Sequence, residues 1–336
     1  MSSLLNSIIL FRLSLGAIGG LFLGPNVKIS LLDVDHSPAA LVQKLQKFES
    51  IFTYPFSDTE EFRIKHGTDG DYFAFFKTLG KPYFYVAECI KDETVTKTVN
   101  GKQITIQHKA GDIAAVGCGI LREMQLKTED KSCDCSKQRV KTISAWYICD
   151  LKVNPHYQGE HLPTAIINKV GALRFLQCPR GFGICMNPPE GEPKAAAIFK
   201  KHGQFPGLQV QTLNLYSLTA QSVTLNKMQL EETLKRHGYL QRHEKLSFKS
   251  THGNKDYQIF NKDNAKDTRP WNLMHMQAGQ EDSSPKDNAD YMICSVQDTP
   301  LDQNFKTILG KPSSTAQIVS YGMQNVDFNY LSSNQI

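Results

Sequence analysis

The sequence predicts a mixed α/β (α+β) fold, in which helices flank a mostly antiparallel sheet and a second, smaller α/β domain follows. Three observations favour this class. Apolar runs of strand length alternate with segments of helical spacing, glycines close several helical segments, and Asn100-Gly101 marks a hairpin between two alternating runs. At 336 residues the chain is long enough for two domains.

The first half of the chain holds the elements of the larger predicted domain. In chain order we expect a helix at residues 41–48, two short helices at 60–62 and 71–76, a strand at 82–89, a hairpin at 94–106, strands at 113–121 and 143–153, a helix from Thr164, a strand at 181–186, a helix at 193–202 and a strand at 208–218. Residues 129–139 are polar and predict a loop.

A change of composition near residue 220 predicts a second domain. It would contain a helix at 225–237, strands at 246–250, 256–260, 271–277, 291–296 and 316–321, a helix at 301–309, and polar loops at 261–268 and 279–290. The predicted boundaries are therefore 1–40, 41–219 and 220–336. The last domain could be a degenerate repeat of the first, and we interpret His275 as a structural histidine.

Charge and cysteine usage narrow the class of protein. The formal net charge is +5 and the basic residues form no dense stripe with interleaved aromatics, which disfavours nucleic-acid binding. Most cysteines lie singly in apolar runs, and Cys133 and Cys135 lack two further ligands at zinc-site spacing. We therefore predict no metal site, a reducing compartment and a cytoplasmic protein.

Residues 4–23 form an apolar segment with Arg12 near its middle, where a charge is costly in a bilayer. Three interpretations stay open for this segment: a weak membrane or signal segment, an amphipathic helix packed on the body, or a mistaken start codon. The packed helix is our first expectation, with a membrane-anchored protein as the alternative.

The most informative stretch is the end of the predicted strand 143–153. The strand breaks at Asn154-Pro155, the chain turns through Gln158-Gly159, and helical spacing begins at Thr164. A strand that leads through a short turn into a helix aims backbone N–H groups and the positive helix end at one point, which suits a diphosphate. The alternative is an ordinary connection that binds no ligand.

The order Val-x-Pro-x-Tyr-Gln-Gly at 153–159 resembles the acetyl-CoA motif of the GNAT superfamily of N-acetyltransferases. Gln158 and Gly159 match that motif, whereas His161 replaces its central glycine and Pro163 replaces a glycine or alanine. Proline donates no N–H group, so one phosphate donor is lost. Residues 195–205 look like the family's later helix, and the resemblance covers about residues 48–218.

The resemblance implies a CoA-dependent N-acyltransferase that moves an acetyl or other acyl group from acyl-CoA to the amine of a small molecule, a peptide or a protein. The family binds the cofactor through the end of this strand and the following turn. By position, the resemblance assigns Leu151, Lys152 and Val153 to the pantetheine, and Gln158, Gly159, Glu160, His161, Leu162 and Thr164 to the diphosphate.

Catalytic candidates follow from the same resemblance. Asp150 is the first candidate for a base or amine-binding group and Glu88 the second, although both fit equally well as ion-paired carboxylates at strand ends. The position of the family's usual tyrosine acid is Phe199, which cannot donate a proton. Three possibilities follow: another donor such as Tyr216 or His202, a leaving thiolate protonated by water, or loss of activity. The alternative function is a non-catalytic interaction protein with this fold, and a homodimer is a further expectation.

Overall fold

The computed structural model describes residues 26–99, 101–128, 139–188, 207–280 and 283–336. The chain divides into two compact units. Of the described residues, unit 1 contains those within Met1–Phe52, Phe76–Arg122 and Ser144–Gly181, and unit 2 those within Thr53–Phe75, Glu123–Ile143 and Phe182–Ile336. The domain boundaries predicted at 40/41 and 219/220 stay predictions. Among the helices that the structure describes, none combines the length and the hydrophobicity needed to cross a bilayer.

A sheet of long strands forms the centre of unit 1. Its order is β1 (Val27–Leu31), β4 (Lys81–Cys89), β7 (Ile113–Thr128) and β8 (Arg139–Val153), with residues 113–122 of β7 and 144–153 of β8 belonging to the unit. The pairs β1–β4 and β4–β7 are antiparallel. Val, Ala, Ile and aromatic residues fill these strands because branched and flat side chains pack well on a pleated surface.

Helices of unit 1 bury apolar residues, and one of them packs against this sheet. Helix α1 (Ala39–Glu49) buries Leu45 and Phe48, and α2 (Ala74–Leu79) precedes β4. Helix α3 (Leu162–Gln177) buries residues at helical spacing against the sheet, namely Leu162, Ala165 and Ile166. Full burial of a leucine or isoleucine contributes about 1.5–3 kcal/mol, so these contacts fix the start of α3 on the sheet.

The predicted hairpin is present in unit 1. Strand β5 (Glu93–Val99) pairs antiparallel with β6 (Lys102–His108), and Val99 lies opposite Lys102. Gly101 has a φ of 77°, a conformation that glycine adopts at little cost in two-residue hairpin turns. The hairpin prediction is confirmed.

Unit 2 contains two sheets. The larger has the order β9 (Gly181–Met186), β16 (Ser314–Tyr321), β10 (Leu208–Thr219), β15 (Asp290–Val296), β14 (Leu273–Gly279) and β11 (Lys245–Ser250); the smaller has the order β13 (Asn264–Trp271), β12 (Lys255–Asn261), β3 (Glu60–His66) and β2 (Tyr54–Pro55). Strands β14 and β15 are parallel, whereas β10 is antiparallel to both β15 and β16.

Helices α4 (Ala220–Arg236) and α5 (Pro300–Leu309) complete unit 2. Each begins with a threonine whose hydroxyl accepts a backbone N–H of the first turn, Thr219 for α4 and Thr299 for α5. Their buried faces join β10, β14 and β15 in one apolar core that includes Val223, Leu230 and Phe305.

Each unit holds one tryptophan. In unit 1, the indole N–H of Trp146 donates to the Arg174 carbonyl at 2.8 Å, and the Arg174 guanidinium lies 3.9 Å above the Tyr83 ring. In unit 2, the indole N–H of Trp271 donates to Asp290 Oδ2 at 2.7 Å, and its ring packs edge-on against Phe62. Both indoles are thus fixed by a hydrogen bond and by neighbouring side chains.

The predicted fold class is confirmed, and two predicted elements are wrong. Residues 60–62 were expected in a helix but lie in β3, which pairs with β12 from Glu60 to His66. Residues 261–268 were expected in a loop, yet 264–271 form β13 at the edge of the smaller sheet. An edge strand tolerates exposed polar residues and Pro270, so its composition resembles that of a loop. The segment 4–23, the loop with Cys133 and Cys135, and the helix at 193–202 lie outside the described residues.

Candidate active site

Strand β8 ends in a turn that is tied to the sheet of unit 1. The Asn154 N–H donates to the Ala114 carbonyl at 2.9 Å, and the Asn154 side chain accepts the His156 N–H at 3.0 Å. Residues Pro155–Tyr157 then form a single 3-10 turn. The Tyr157 ring is buried and stacks on the His108 ring, with centroids 3.9 Å apart. Burial and the neighbouring Cys89 thiol raise the pKa of Tyr157, so its phenol stays neutral.

After this turn the backbone takes two left-handed conformations. Gly159 has a φ of 87° and His161 a φ of 55°, and α3 begins directly after His161. Among the described atoms, none lies within 4 Å of a Cβ built on Gly159, so this residue borders open space. A side chain would be strained at Gly159 by its backbone conformation rather than by crowding.

The start of α3 suits an anion. Its first turn contains no acidic residue, and within the described residues His161 provides no side-chain cap. The helix hydrogen-bond pattern begins with Ala165 N–H donating to the His161 carbonyl at 3.0 Å. Partial positive charge therefore collects beside Gly159, although Pro163 contributes no N–H group.

The sequence-predicted cofactor residues are adjacent along this path. Gln158, Gly159 and His161 are exposed, while Leu151, Lys152, Val153, Glu160 and Thr164 are half-buried. Leu162 is buried in the core, so only its backbone is suited to binding a ligand. The role of each of these residues stays a prediction.

Lys97 of the hairpin contacts the turn from one side. Its Nζ donates to the His156 carbonyl at 2.9 Å, to the Gln158 carbonyl at 3.1 Å and to Glu160 Oε1 at 2.6 Å. The His108 Nε2 atom lies 3.1 Å from the same His156 carbonyl. Sequence reasoning missed both residues, because the hairpin and the turn are far apart in the chain.

Asp150 interrupts the regular strand four residues before the turn. Its φ of 51° is left-handed, which is unusual for a residue with a side chain and indicates a local distortion of β8. The Lys152 Nζ lies 2.6 Å from Asp150 Oδ1 and also contacts the Glu49 carboxylate of α1. The side-chain exposures of Asp150, Lys152 and Glu49 are 7%, 12% and 3%.

This buried cluster contains two carboxylates and one ammonium. The sequence left two interpretations of Asp150 open, an ion-paired carboxylate and a catalytic base. The contact with Lys152 agrees with the ion-paired interpretation. Glu49 was not predicted, although an acid that follows the apolar Leu45 and Phe48 at helical spacing was a signal for a buried carboxylate. With its side chains ionised, the cluster carries one net negative charge in a poorly solvated place.

Glu88, the second catalytic candidate, lies away from Asp150 in the sheet. Asp150 acts on Cys118, because burial, Cys149 and the Asp150 charge together raise the pKa of the Cys118 thiol. In the pairing of β4 with β7, Cys118 lies opposite Phe84, whereas Glu88 lies opposite Ile113. Phe84 and Glu88 are four residues apart, or about 13 Å along a strand. Glu88 is 42% exposed and forms an ion pair with Lys44 at 3.1 Å. The structure does not bring the two carboxylates together.

Tyr216, the candidate acid, belongs to the core of unit 2. Its hydroxyl donates to Asp302 Oδ1 at 2.7 Å, and burial together with the Asp302 carboxylate raises the pKa of Tyr216. A buried phenol bound to a carboxylate is a structural group in its present arrangement, and its catalytic role stays a prediction. Phe199 and His202 lie outside the described residues.

No protein-family model and no curated protein matches the sequence. Solved structures that are similar include the N-myristoyltransferase of Saccharomyces cerevisiae with bound myristoyl-CoA, at 11% identity over 88% of this chain and 83% of that one, with a TM-score of 0.42. A GCN5-related N-acetyltransferase of Kribbella flavida matches at 8% identity over 88% and 71%, with a TM-score of 0.36. The glucosamine-6-phosphate N-acetyltransferase of Arabidopsis thaliana matches at 14% over 53% and 90%, with a TM-score of 0.28.

These structures include GCN5-related N-acetyltransferases, the superfamily whose acetyl-CoA motif the sequence resembles. At TM-scores of 0.28 to 0.42 the likeness carries no conclusion about function. Function is therefore inferred from the chain's own geometry.

Proposed function

We propose that this protein is an acyl-CoA-dependent N-acyltransferase whose diphosphate cradle is the turn from Gln158 to Thr164. One observation carries the proposal: the distorted end of β8 leads through left-handed Gly159 and His161 into the start of α3, where, among the described residues, His161 gives no side-chain cap and no atom crowds Gly159. Backbone N–H groups and a helix end aimed at one point bind phosphate without any cationic side chain.

The residues fit a CoA diphosphate in chemistry, with one donor missing. Gly159 leaves the space beside it open, and the first turn of α3 holds no carboxylate that would repel phosphate. Leu151, Lys152 and Val153 would offer strand backbone to the pantetheine. When bound, the cofactor would supply a thioester, either acetyl-CoA or another acyl-CoA.

An acceptor amine would be the second ligand. The acidic side chains of the cluster, Glu49 and Asp150, would attract an ammonium. Asp150 is our first candidate to take a proton from that amine, with Glu88 as the alternative and Tyr216 as candidate acid. Small molecules, peptides and protein amines fit this chemistry equally, and a cytoplasmic homodimer stays our expectation.

A CoA titration of the whole chain tests the proposal. We expect saturable binding by calorimetry and a rise in the thermal unfolding temperature, since a ligand at a hundredfold excess over Kd stabilises the folded state by about 2.7 kcal/mol. Absence of binding at millimolar CoA would contradict the proposal.

Gly159→Glu sharpens the test. A carboxylate beside the diphosphate should cost about 2 kcal/mol or more, over tenfold in affinity, through like-charge repulsion in a partly desolvated place. Gly159→Gln is the matched control, because it has the same backbone strain and nearly the same shape without the charge. If Gly159→Glu and Gly159→Gln bind CoA with equal affinity, the diphosphate does not bind at this turn. Asp150→Asn should leave CoA binding nearly unchanged and lower the transfer rate.

The second candidate function is a non-catalytic interaction protein. The observations that favour it are Pro163, which removes one N–H from the turn, and the ion pair that engages Asp150. This function predicts no CoA binding by the wild type and no response to Gly159→Glu.

A further inference from the structure

Lys97 concentrates three hydrogen bonds on one short stretch of the turn. Its ammonium has three donors, and the three acceptors are the His156 carbonyl, the Gln158 carbonyl and the Glu160 carboxylate, all within 3.1 Å. The Lys97 side chain is only 18% exposed. A lysine at this degree of burial with every donor engaged holds a defined position.

The contact with Gln158 sets the direction of the next N–H group. In a planar trans peptide the carbonyl and the following N–H point in opposite directions. Because the Gln158 carbonyl faces Lys97, the Gly159 N–H points away from the hairpin. The backbone at Gly159, whose φ is 87°, thus presents its donor on the side opposite Lys97.

The contact with Glu160 removes a competing anion. Glu160 lies two residues before the first residue of α3, where a carboxylate readily accepts the free N–H groups of a helix start. Instead its Oε1 lies 2.6 Å from Lys97 Nζ and 3.5 Å from His108 Nε2. The hairpin therefore keeps the nearest negative charge away from the place where an external anion would bind.

We infer that Lys97 is a positioning residue that makes this turn selective for a diphosphate-bearing ligand, by orienting the Gln158–Gly159 peptide and by restraining Glu160. The inference rests on the proposed function, because it assigns the anion to the same turn. It adds a dependence of phosphate recognition on the β5–β6 hairpin, which lies outside the motif.

The test compares two ligands, CoA and pantetheine, which lacks the diphosphate. Lys97→Met should weaken CoA binding by about tenfold or more, the scale of a lost charge-assisted contact, and leave pantetheine binding unchanged. Lys97→Arg keeps a donor for Glu160 and the carbonyls and should restore most of the CoA affinity. The control is Lys262→Met, which also removes a lysine bound to two loop carbonyls, those of Ser57 and Asp58 in unit 2.

A double variant separates restraint of Glu160 from general loosening. If Lys97 acts by holding Glu160, Lys97→Met combined with Glu160→Gln should bind CoA at least threefold more tightly than Lys97→Met alone. Thermal unfolding of each variant checks that it is folded, and Lys97→Gln replaces Lys97→Met if that variant is not.

The outcomes are distinguishable. A wild type that does not bind CoA overturns the proposed function and the inference together. A wild type that binds CoA, with folded Lys97→Met binding it equally well, overturns the inference alone. Equal losses of CoA and pantetheine affinity would also overturn it, since they indicate a structural role without selectivity.

Discussion

The Lys152 cluster gives the strongest prediction about stability. Replacing Lys152 by methionine removes the ammonium that lies between Asp150 and Glu49 and keeps most of the side-chain length. The two carboxylates then stay buried without the Lys152 ammonium. Methionine keeps an unbranched apolar side chain like that of lysine, so packing near Phe52, whose ring centroid lies 5.8 Å from the ammonium, is largely kept. The loss of stability then reports the loss of the charge.

The magnitude follows from distance and burial. Unit charges about 3 Å apart attract by about 5 kcal/mol at an effective dielectric constant of about 20, and desolvation offsets much of this gain in the intact cluster. Removing one partner leaves the desolvation cost in place, so we expect the free energy of unfolding to fall by about 3–5 kcal/mol. That is a large part of the total stability of a typical protein.

Urea unfolding followed by circular dichroism measures this loss. Lys44→Met is the matched control, because the Lys44–Glu88 pair has a similar distance of 3.1 Å but exposures of 48% and 42%, and such exposed pairs contribute about 1 kcal/mol or less. The triple variant Glu49→Gln, Asp150→Asn, Lys152→Met carries no charge in the cluster and should regain much of the loss. If Lys152→Met is no less stable than Lys44→Met, the buried cluster described above is wrong.

Two further predictions concern unit 2. Burial raises the pKa of Asp302, but Lys306 and the hydrogen bonds from Asn214 and Tyr216 outweigh burial and lower it to about 2 from 3.8. The lowered pKa corresponds to about 2.5 kcal/mol of stability, which is present above pH 4 and is lost as the pH falls towards 2. The Asp302→Asn variant should not show this loss when its unfolding is followed during acid titration. An acid transition equal to that of the wild type would contradict the prediction. Gly67→Ala should destabilise by more than about 2 kcal/mol, because Gly67 has a φ of 68° and its Cβ would lie 2.4 Å from the Tyr72 backbone. Gly101→Ala, with a φ of 77° and open space, should cost only about 1 kcal/mol, and equal costs in thermal unfolding would refute the role of the contact.

Short-range sequence patterns predicted the elements whose conformation depends on neighbouring residues. The hairpin at Asn100-Gly101 and the start of α3 after the Pro155 break were predictable because turn residues and helical spacing act within a few residues. Strand β3 was not, because its partner β12 lies in a distant part of the sequence and the pairing outweighs local preference.

The same limit explains the candidate site. Asp150, Gln158 and Gly159 were identified because they lie on one continuous stretch. Lys97 and Glu49 reach that stretch from 63 and 103 residues away in the chain, a separation that no spacing rule connects. A single sequence thus predicts the backbone of the site better than the side chains that support it.

The distribution of the two tryptophans has a spectroscopic consequence. Trp146 reports on unit 1 through its bond to the carbonyl of α3, and Trp271 reports on unit 2 through Asp290. Changing either indole to phenylalanine leaves a chain with one tryptophan, whose fluorescence, excited at wavelengths that tyrosine does not absorb, follows one unit only. A CoA titration of the Trp271→Phe variant would then observe α3 from its far end. Urea denaturation of both single-tryptophan variants would reveal whether the two units unfold in one cooperative step or in two.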